Sequence, residues 1–231
     1  MEATAIIPVK RFGDAKQRLL VRLDRPARAA IVKAMLADVL DAVTATTAIE
    51  RLIVVTGEGR AERIALRHAQ RTTTPLEVLR DPDDIGHREA ATLGIIRALA
   101  LGADCVALLP GDCPLLDAAE LDGALERMRA GRVAVIPDRH GTGTNGLLLS
   151  PPDAIRPGFG EGSRERHVER AAARGMEPEV EELSSLALDL DTPDDLVALA
   201  GALSAEPERA PATAAELDRL GLAAEVASEG G

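Results

Sequence analysis

The feature that most constrains the fold is a regular alternation of short apolar runs with longer segments of helical periodicity. The apolar runs lie at residues 4–9, 52–56, 76–79, 105–109 and 133–137. Apolar residues recur at helical spacing between them, over residues 25–46, 60–69, 88–101 and 117–130. Strands that alternate with helices need crossover connections, which place helices on both faces of a parallel sheet. The sequence therefore predicts a single α/β domain with three layers and a mainly parallel sheet.

After residue 137 the rhythm changes to Gly-rich loops, a short strand at 145–149, a helix near 164–174 and a strand around Asp189. Ligands of parallel sheets bind at the carboxyl ends of the strands. We therefore divide a domain of residues 1–203 into a nucleotide-binding half, 1–137, and a half that covers the acceptor substrate, 138–203. From residue 204 the Ala, Glu and Pro content rises. Apart from a weak amphipathic stretch at 214–222, we predict a flexible acidic tail over 204–231.

The charge of the chain excludes several classes of partner. The formal net charge is −11, which argues against nonspecific binding to nucleic acid or to an acidic membrane surface. The chain has no Trp or Tyr, so it lacks stacking platforms for single-stranded nucleic acid. Residues 1–33 nevertheless carry eight Lys or Arg against three acidic residues. This basic N-terminal segment suits an anionic small molecule.

Location and cysteine use can also be predicted. No run of eighteen apolar residues appears, and residues 1–9 are too short and badly flanked for a signal peptide. We therefore expect a cytoplasmic protein without a membrane span. Cys105 and Cys113 lie in or beside one apolar segment, and we interpret them as packing residues rather than as a disulfide or a zinc site. The oligomeric state stays open, and a homodimer is one arrangement that the sequence allows.

The first strand runs into a basic loop that contains Lys10, Lys16 and Arg18. Lys10 and Lys16 are two of only three lysines in the chain. The loop has one Gly and lacks the spacing of a P-loop. A basic surface loop is the alternative, but the position after a buried strand favours a triphosphate site in which these three side chains neutralise charge.

Three aspartates form a second candidate cluster. Residues 188–195 read Leu-Asp-Leu-Asp-Thr-Pro-Asp-Asp, and in a strand Asp189 and Asp191 would point to one face. Two neighbouring carboxylates repel unless a cation lies between them, and Mg²⁺ prefers such oxygen ligands. Asp112 follows the fourth apolar run and would add a third carboxylate. The alternatives are a solvent-exposed strand end and an ordinary Gly-Asp turn, and Thr192 is predicted to cap the following helix.

Two loops of small residues, 141–146 and 159–163, contain backbone N–H groups and hydroxyls that suit a phosphate or a carboxylate. Flexible turns are the alternative for each loop. Because both loops lie in the same half, we favour an acidic substrate there. His140 and His167 lie beside the loops, and we interpret both as surface histidines.

Together these segments resemble the 2-phospho-L-lactate guanylyltransferase family, whose bacterial members include phosphoenolpyruvate guanylyltransferases of deazaflavin coenzyme F-420 biosynthesis. The resemblance covers nearly all of residues 1–203. It rests on the motifs at 8–10, 110–116, 138–149, 159–163 and 188–196. It implies a nucleotidyltransferase fold of the glycosyltransferase-A-like type, related to Rossmann-like domains.

The resemblance also implies roles for individual residues. Magnesium would be held by Asp112, Asp189 and Asp191. The acid would be held by Thr144, Gly160 and Ser163. The nucleotide would be held by Pro8, Lys10, Lys16, Gly86 and Gly111. The catalytic residues would be Lys10, Lys16, Arg18 and Asp112.

The expected reaction is Mg²⁺-dependent transfer of a guanylyl group from GTP to phosphoenolpyruvate or 2-phospho-L-lactate, with release of pyrophosphate. Residues 85–90 differ from the Gly-Leu-Asn-like start of the corresponding helix in relatives, which leaves the preferred base open. One alternative is cytidylyl transfer to molybdopterin or a sugar phosphate. The other is a nucleotide-binding homologue without catalysis.

Overall fold

The computed structural model describes residues 2–12, 16, 19, 22–81, 83, 84 and 86–222. In these residues one sheet contains seven strands: β1 (Ala3–Val9), β2 (Ile49–Thr56), β3 (Leu76–Arg80), β4 (Cys105–Leu108), β5 (Arg132–Ile136), β6 (Gly146–Leu149) and β7 (Glu177–Val180). The α-helices are α1 (Arg25–Ala45), α2 (Gly59–Ala69), α3 (His87–Ala100), α4 (Ala118–Glu126), α5 (Ser163–Ala173), α6 (Pro193–Ala205) and α7 (Pro211–Arg219).

The sheet is mainly parallel and has one reversed strand. Its order is β3-β2-β1-β4-β6-β5-β7. The pairs β1–β2, β1–β4, β2–β3 and β5–β7 are parallel, whereas β6 is antiparallel to both of its neighbours. The chain moves from β1 outwards to β3 and then returns to β4 on the other side of β1. The carboxyl ends of β1 and β4 therefore border a crevice of the kind in which such sheets bind ligands.

Alternate residues of β1 pack into cores on opposite faces of the sheet, because strand side chains alternate. Ala5 and Ile7 belong to a core that includes residues of α1, whereas Ile6 belongs to a core that includes residues of α3. Gly94 lets α3 approach β1 closely, since a Cβ at Gly94 would lie 2.4 Å from Cγ2 of Ile6. This packing confirms the three-layer α/β prediction and fixes the position of α3, whose first residue is His87.

Most predicted elements are confirmed within a few residues, but the predicted strand around Asp189 is wrong. Residues 187–191 are irregular, because side chains rather than a neighbouring strand hold this segment. The seventh strand is β7, whose sequence Glu-Pro-Glu-Val has no apolar alternation that would reveal it. Acidic side chains of this edge strand pair with Arg129 and Arg132. Helix α4 also ends earlier than predicted.

The C-terminal segment requires a second correction. Residues 204–222 are not a flexible tail, because α7 forms there and packs against α1. Buried Asp38 of α1 accepts hydrogen bonds from Ala212 N at 3.0 Å, Thr213 N at 2.8 Å and the Thr213 hydroxyl at 2.6 Å. The carboxylate of Asp38, remote in sequence, thus accepts hydrogen bonds from backbone N–H groups in the first turn of α7 that have no partner within the helix. Local sequence patterns cannot show such a contact. Residues 223–231 of the predicted tail lie outside the described residues.

Three smaller predictions concern cysteines, histidines and membrane spans. Cys105 and Cys113 are buried and free, as expected for packing residues. His140 is exposed, but His167 is buried, so the interpretation of His167 as a surface residue is wrong. No helix in the described ranges is both long and apolar enough to cross a membrane.

Candidate functional site

The crevice between the ends of β1 and β4 contains a cavity of about 320 Å³. Six residues that the sequence predicted for the site line it: Pro8, Lys10, Lys16, Gly111, Asp112 and Asp191. The backbone packs closely at Gly111, because a Cβ there would lie 3.3 Å from Leu36 of α1. The structure therefore brings Lys10, Lys16 and two of the three aspartates to one cavity at the switch point of the sheet.

A lysine lies between two of the carboxylates. Nζ of Lys16 donates to Oδ2 of Asp112 and to Oδ1 of Asp191, the latter at 2.6 Å. The Lys16 side chain is only 7% exposed. Burial alone would lower the pKa of Lys16, but Asp112 and Asp191 outweigh burial and raise this pKa above its ordinary value. The ammonium group therefore stays charged and neutralises both carboxylates.

Asp189 is the third carboxylate of the cluster. Burial raises the pKa of Asp189 to about 6, and repulsion from Asp112 and Asp191 acts in the same direction. Lys16 and a hydrogen bond from Asn145 oppose the rise in pKa. Once Asp189 is ionised, three neighbouring carboxylates are balanced by one ammonium group, which contacts only Asp112 and Asp191, so the cluster favours an additional cation.

The side-chain amide of Asn145 holds the irregular segment that carries Asp189. Nδ2 of Asn145 lies 2.9 Å from the Leu186 carbonyl oxygen and 3.1 Å from the Ala187 carbonyl oxygen. The same nitrogen lies 3.3 Å from Oδ1 of Asp189. Asn145 immediately precedes β6 and is therefore fixed by the sheet. One amide thus connects the sheet to both the backbone and a carboxylate of the cluster.

Buried Asp195 holds the other end of the segment. Its Oδ2 accepts hydrogen bonds from Asp191 N at 3.0 Å, from Thr192 N at 2.6 Å and from the Thr192 hydroxyl at 2.8 Å. Its Oδ1 pairs with Arg139 at 2.7 Å. Thr192 and Asp195 also form a capping box at the start of α6, which confirms the predicted cap. The helix cap and the backbone of Asp191 therefore depend on the same carboxylate.

A buried network supports the loop at 159–163 from inside. Nε2 of His167 accepts the Gly158 N–H at 2.9 Å, which leaves the proton of a neutral ring on Nδ1, 3.1 Å from the Thr144 hydroxyl. The Ser163 hydroxyl donates to the Thr144 hydroxyl at 3.1 Å. Burial, together with the nearby positive charges of Arg170 and Arg166, lowers the pKa of His167 to about 4. Thr144 and Ser163 are buried, so their hydroxyls lie within the protein and support the loop.

The remaining predicted residues lie at backbone turns or beyond the described ranges. Gly160 is exposed and has φ +102°, a conformation that favours Gly. Gly86 precedes α3 with φ +119°. Arg18 lies outside the described residues. Of the three residues predicted to hold the acid, the structure thus exposes Gly160 and buries Thr144 and Ser163.

The aspartate cluster has the donor atoms, but not the present arrangement, of a divalent-cation site. Within the described ranges, no three His, Cys, Asp or Glu side chains are already arranged as metal ligands. Instead, the ammonium group of Lys16 lies between Asp112 and Asp191. The donor chemistry nevertheless fits a hard cation, because Asp112 and Asp191 share one ammonium group and Asp189 lies close enough for both of them to raise its pKa.

Comparison with known proteins agrees with this geometry. The family model described as "Guanylyl transferase CofC like" matches residues 3–203. The chain belongs to this family. Membership confirms the resemblance that the sequence motifs indicated and shows that the protein is a nucleotidyltransferase.

Relatives and solved structures of this CofC-like chain support the family and the fold. Phosphoenolpyruvate guanylyltransferase of Conexibacter woesei is 44% identical over 201 residues, which cover 86% of this chain and 87% of the relative. 3-phospho-D-glycerate guanylyltransferase of Phenylobacterium zucineum is 38% identical over 202 residues, which cover 86% and 89%. A crystal structure ascribed to a nucleotide-diphospho-sugar transferase of Desulfovibrio desulfuricans G20 has a TM-score of 0.74 at 20% identity. The match covers 98% of this chain and 99% of that chain, and it shows the fold.

Three residues at the site were assigned no site role from the CofC-like sequence. His87 lines the cavity, and the only sequence signal for it is its position directly after Gly86. Asn145 follows Thr144 in a predicted loop, but nothing local indicates that its amide holds Asp189. The sequence places Asp195 only in the first turn of the helix that Thr192 is predicted to cap. All three contact residues distant in sequence, which periodicity does not detect.

Proposed function

We propose that this chain transfers the guanylyl group of GTP to the phosphate of a phosphorylated three-carbon acid and releases pyrophosphate, in coenzyme F-420 biosynthesis. The two relatives are named for phosphoenolpyruvate and for 3-phospho-D-glycerate. The proposed acceptor is therefore a small acid with one phosphate and one carboxylate. Because GTP is a cytoplasmic metabolite, the proposal places the enzyme in the cytoplasm.

The observation that carries the proposal is the convergence of Lys16 with Asp112, Asp189 and Asp191 at the switch point of the sheet. Three carboxylates would repel a bound triphosphate and therefore make little sense in a protein that only binds nucleotide. They become useful where a cation joins them to phosphate oxygens during group transfer. This argument favours catalysis over the nucleotide-binding alternative.

The proposed chemistry is an in-line displacement at phosphorus. An oxygen of the acceptor phosphate forms a bond to the α-phosphorus of GTP. The bond from this phosphorus to the oxygen that bridges to the β-phosphate breaks, and its electron pair leaves with pyrophosphate. Lys10 and Lys16 neutralise charge on the leaving group, as would Arg18. No covalent enzyme intermediate is required.

Magnesium is the proposed cofactor. Asp112, Asp189 and Asp191 would hold it after the ammonium group of Lys16 moves from the carboxylates to the phosphates. Bound magnesium would neutralise charge on the two reacting phosphate groups. Lys16 thus neutralises carboxylates before the nucleotide binds and phosphate oxygens afterwards. Asn145 holds the carboxylate of Asp189 and the backbone of Leu186 and Ala187 in place throughout.

A screen of pyrophosphate release tests the proposed function. GTP, ATP, CTP and UTP are each combined with phosphoenolpyruvate, 2-phospho-L-lactate and 3-phospho-D-glycerate, with and without Mg²⁺. We expect release only in the presence of Mg²⁺, with GTP and at least one of the acids. Preference for CTP would favour the cytidylyl alternative, and no release with any combination would contradict the proposal.

Mg²⁺ is expected to raise the melting temperature more at about pH 7.5 than at about pH 5. The pKa of Asp189 in the folded protein is about 6, above its ordinary value of 3.8. Without a cation, folded stability is therefore lost as the pH rises through about 6, because the folded state binds this proton more tightly than the unfolded state. At low pH a proton competes with Mg²⁺ for the carboxylate of Asp189, whereas above pH 6 this carboxylate is ionised and can bind Mg²⁺.

Thermal unfolding monitored by circular dichroism at both pH values measures this difference. Asp189→Asn should remove most of the pH dependence of the Mg²⁺ effect. Asp194→Asn, at an exposed position in the first turn of α6, should preserve it. Equal Mg²⁺ effects at both pH values in the unaltered protein would contradict the assignment of Asp189 as a ligand.

A further inference from the structure

Three rings form a row between the cavity and the interior of the acceptor half. His87, the first residue of α3, lies edge-on to Phe159, with ring centroids 4.8 Å apart and planes at 84°. Phe159 in turn lies 5.7 Å from His167. The chain contains only two Phe and no Trp or Tyr, and one of these two Phe residues forms the centre of this row. The row joins the wall of the nucleotide cavity to the loop at 159–163.

His87 contacts both parts of the site. Its side chain lines the cavity together with Lys10, Lys16 and Asp112. Its ring also packs against Phe159, which immediately precedes the exposed Gly160. His87 therefore lies where a reacting acceptor must lie, between the proposed phosphate site and the proposed acid-binding loop.

The imidazole of His87 is available for a ligand. Among the described residues, no side chain or backbone group forms a hydrogen bond with the ring nitrogens of His87. Neither nitrogen is among the fully buried polar atoms that lack a partner, so both retain some exposure. Burial lowers the pKa of His87 to about 4, and Lys10 and Lys16 oppose protonation while Asp112 favours it. At neutral pH the ring is therefore uncharged and offers one N–H donor and one acceptor nitrogen.

We infer that His87 binds the acceptor acid, by donating a hydrogen bond from its ring to the acceptor phosphate while Phe159 fixes the orientation of the ring. This inference rests on the proposed function and deepens it. A neutral donor suits this position, because Lys10 and Lys16 already supply positive charge to the nucleotide phosphates. The edge contact with Phe159 also transmits the position of the ring to the acceptor loop, which His167 holds from the other side.

His87→Leu is the principal test, because leucine keeps apolar contact with Phe159 but cannot form the hydrogen bond. We expect the KM for the acceptor acid to rise about tenfold or more, as for loss of one hydrogen bond to a charged group. The KM for GTP should stay within about twofold, since the nucleotide contacts remain. Phe159→Leu, which keeps the imidazole but loosens it, should raise the same KM by a smaller factor.

His140→Leu is the matched control, because His140 is an exposed histidine beside the loop at 141–146. It should leave both KM values unchanged. An unchanged acceptor KM in His87→Leu, or a parallel rise in the KM for GTP, would overturn the inference. The latter result would assign His87 to the nucleotide instead. Melting temperatures of all variants establish that they are folded.

Equilibrium binding separates this inference from the proposed function. Calorimetric titration of phosphoenolpyruvate, or of whichever acid the screen selects, into the unaltered protein and His87→Leu measures acceptor binding without turnover. Weaker binding to His87→Leu supports the inference even where no pyrophosphate is released. Equal binding overturns it while leaving guanylyl transfer intact.

Discussion

Asp112→Asn is expected to reduce pyrophosphate release at least about 1,000-fold while the fold is retained. Asp112 follows β4 at the switch point, lines the cavity and accepts a hydrogen bond from Lys16. The amide keeps the shape of the carboxylate but loses the negative charge that would hold a cation. Metal-assisted charge stabilisation contributes several kcal/mol, and each loss of about 1.36 kcal/mol slows a reaction tenfold. Steady-state assays with saturating GTP and acceptor measure the effect.

Asp194→Asn is the matched control for this change, since Asp194 is an exposed aspartate close to the cluster in sequence. Its activity should stay within about twofold of the unaltered protein, as expected of a surface substitution. Circular dichroism and melting temperature establish that Asp112→Asn is folded. If Asp112→Asn retained activity within tenfold in Mg²⁺, Asp112 would not be a ligand or a catalytic residue.

Glu181→Gln is expected to destabilise the folded protein by about 3 kcal/mol. The carboxylate of Glu181 pairs with Arg132 at 2.8 Å and with Arg127 at 2.7 Å. The side chains of Glu181 and Arg132 are each only 5% exposed. Removing the negative charge leaves the buried guanidinium group incompletely neutralised, although Glu179 still contacts it. The free energy of unfolding in urea measures the loss.

Glu177→Gln is the control, at the first residue of the edge strand β7 that Glu181 follows. Its partner is Arg129 at 2.6 Å, and the two side chains are 60% and 56% exposed, so the expected loss is below about 1 kcal/mol. The double variant Arg132→Met with Glu181→Leu should recover most of the lost stability, because it removes both buried charges. A loss in Glu181→Gln no larger than in Glu177→Gln would show that burial of the pair has little energetic effect.

Local sequence patterns predicted the strands and helices that are stabilised by burying one apolar face. The alternation of strand and helix predicted β1 to β6 and α1 to α5, because apolar periodicity is imposed by the face that each element buries. It missed β7, because Glu177 and Glu179 of this strand form ion pairs with arginines and give no apolar alternation. It also missed α7, because the backbone N–H groups at the start of this helix donate to a carboxylate of α1 that is distant in sequence.

Strand-end reasoning located the candidate site but not its internal contacts. Lys10, Lys16 and Asp112 follow buried strands, and parallel strands carry such residues to one edge of a sheet. Thr144 and Ser163 were expected to hold the acid, yet their hydroxyls are buried and bonded to each other. Small polar residues in a loop have the same sequence pattern whether they bind a ligand or support the loop, so the sequence does not reveal this hydrogen bond.

The sequence by itself determined the parallel α/β architecture, the family and the two charged segments that form the site. Tertiary structure alone decided that Lys16 lies between Asp112 and Asp191, 96 and 175 residues away in the chain. It also decided that Asn145 holds the segment of Asp189 and that His87 meets Phe159. The physical reason is that periodicity reports which face of an element is buried, whereas these contacts depend on how distant elements pack.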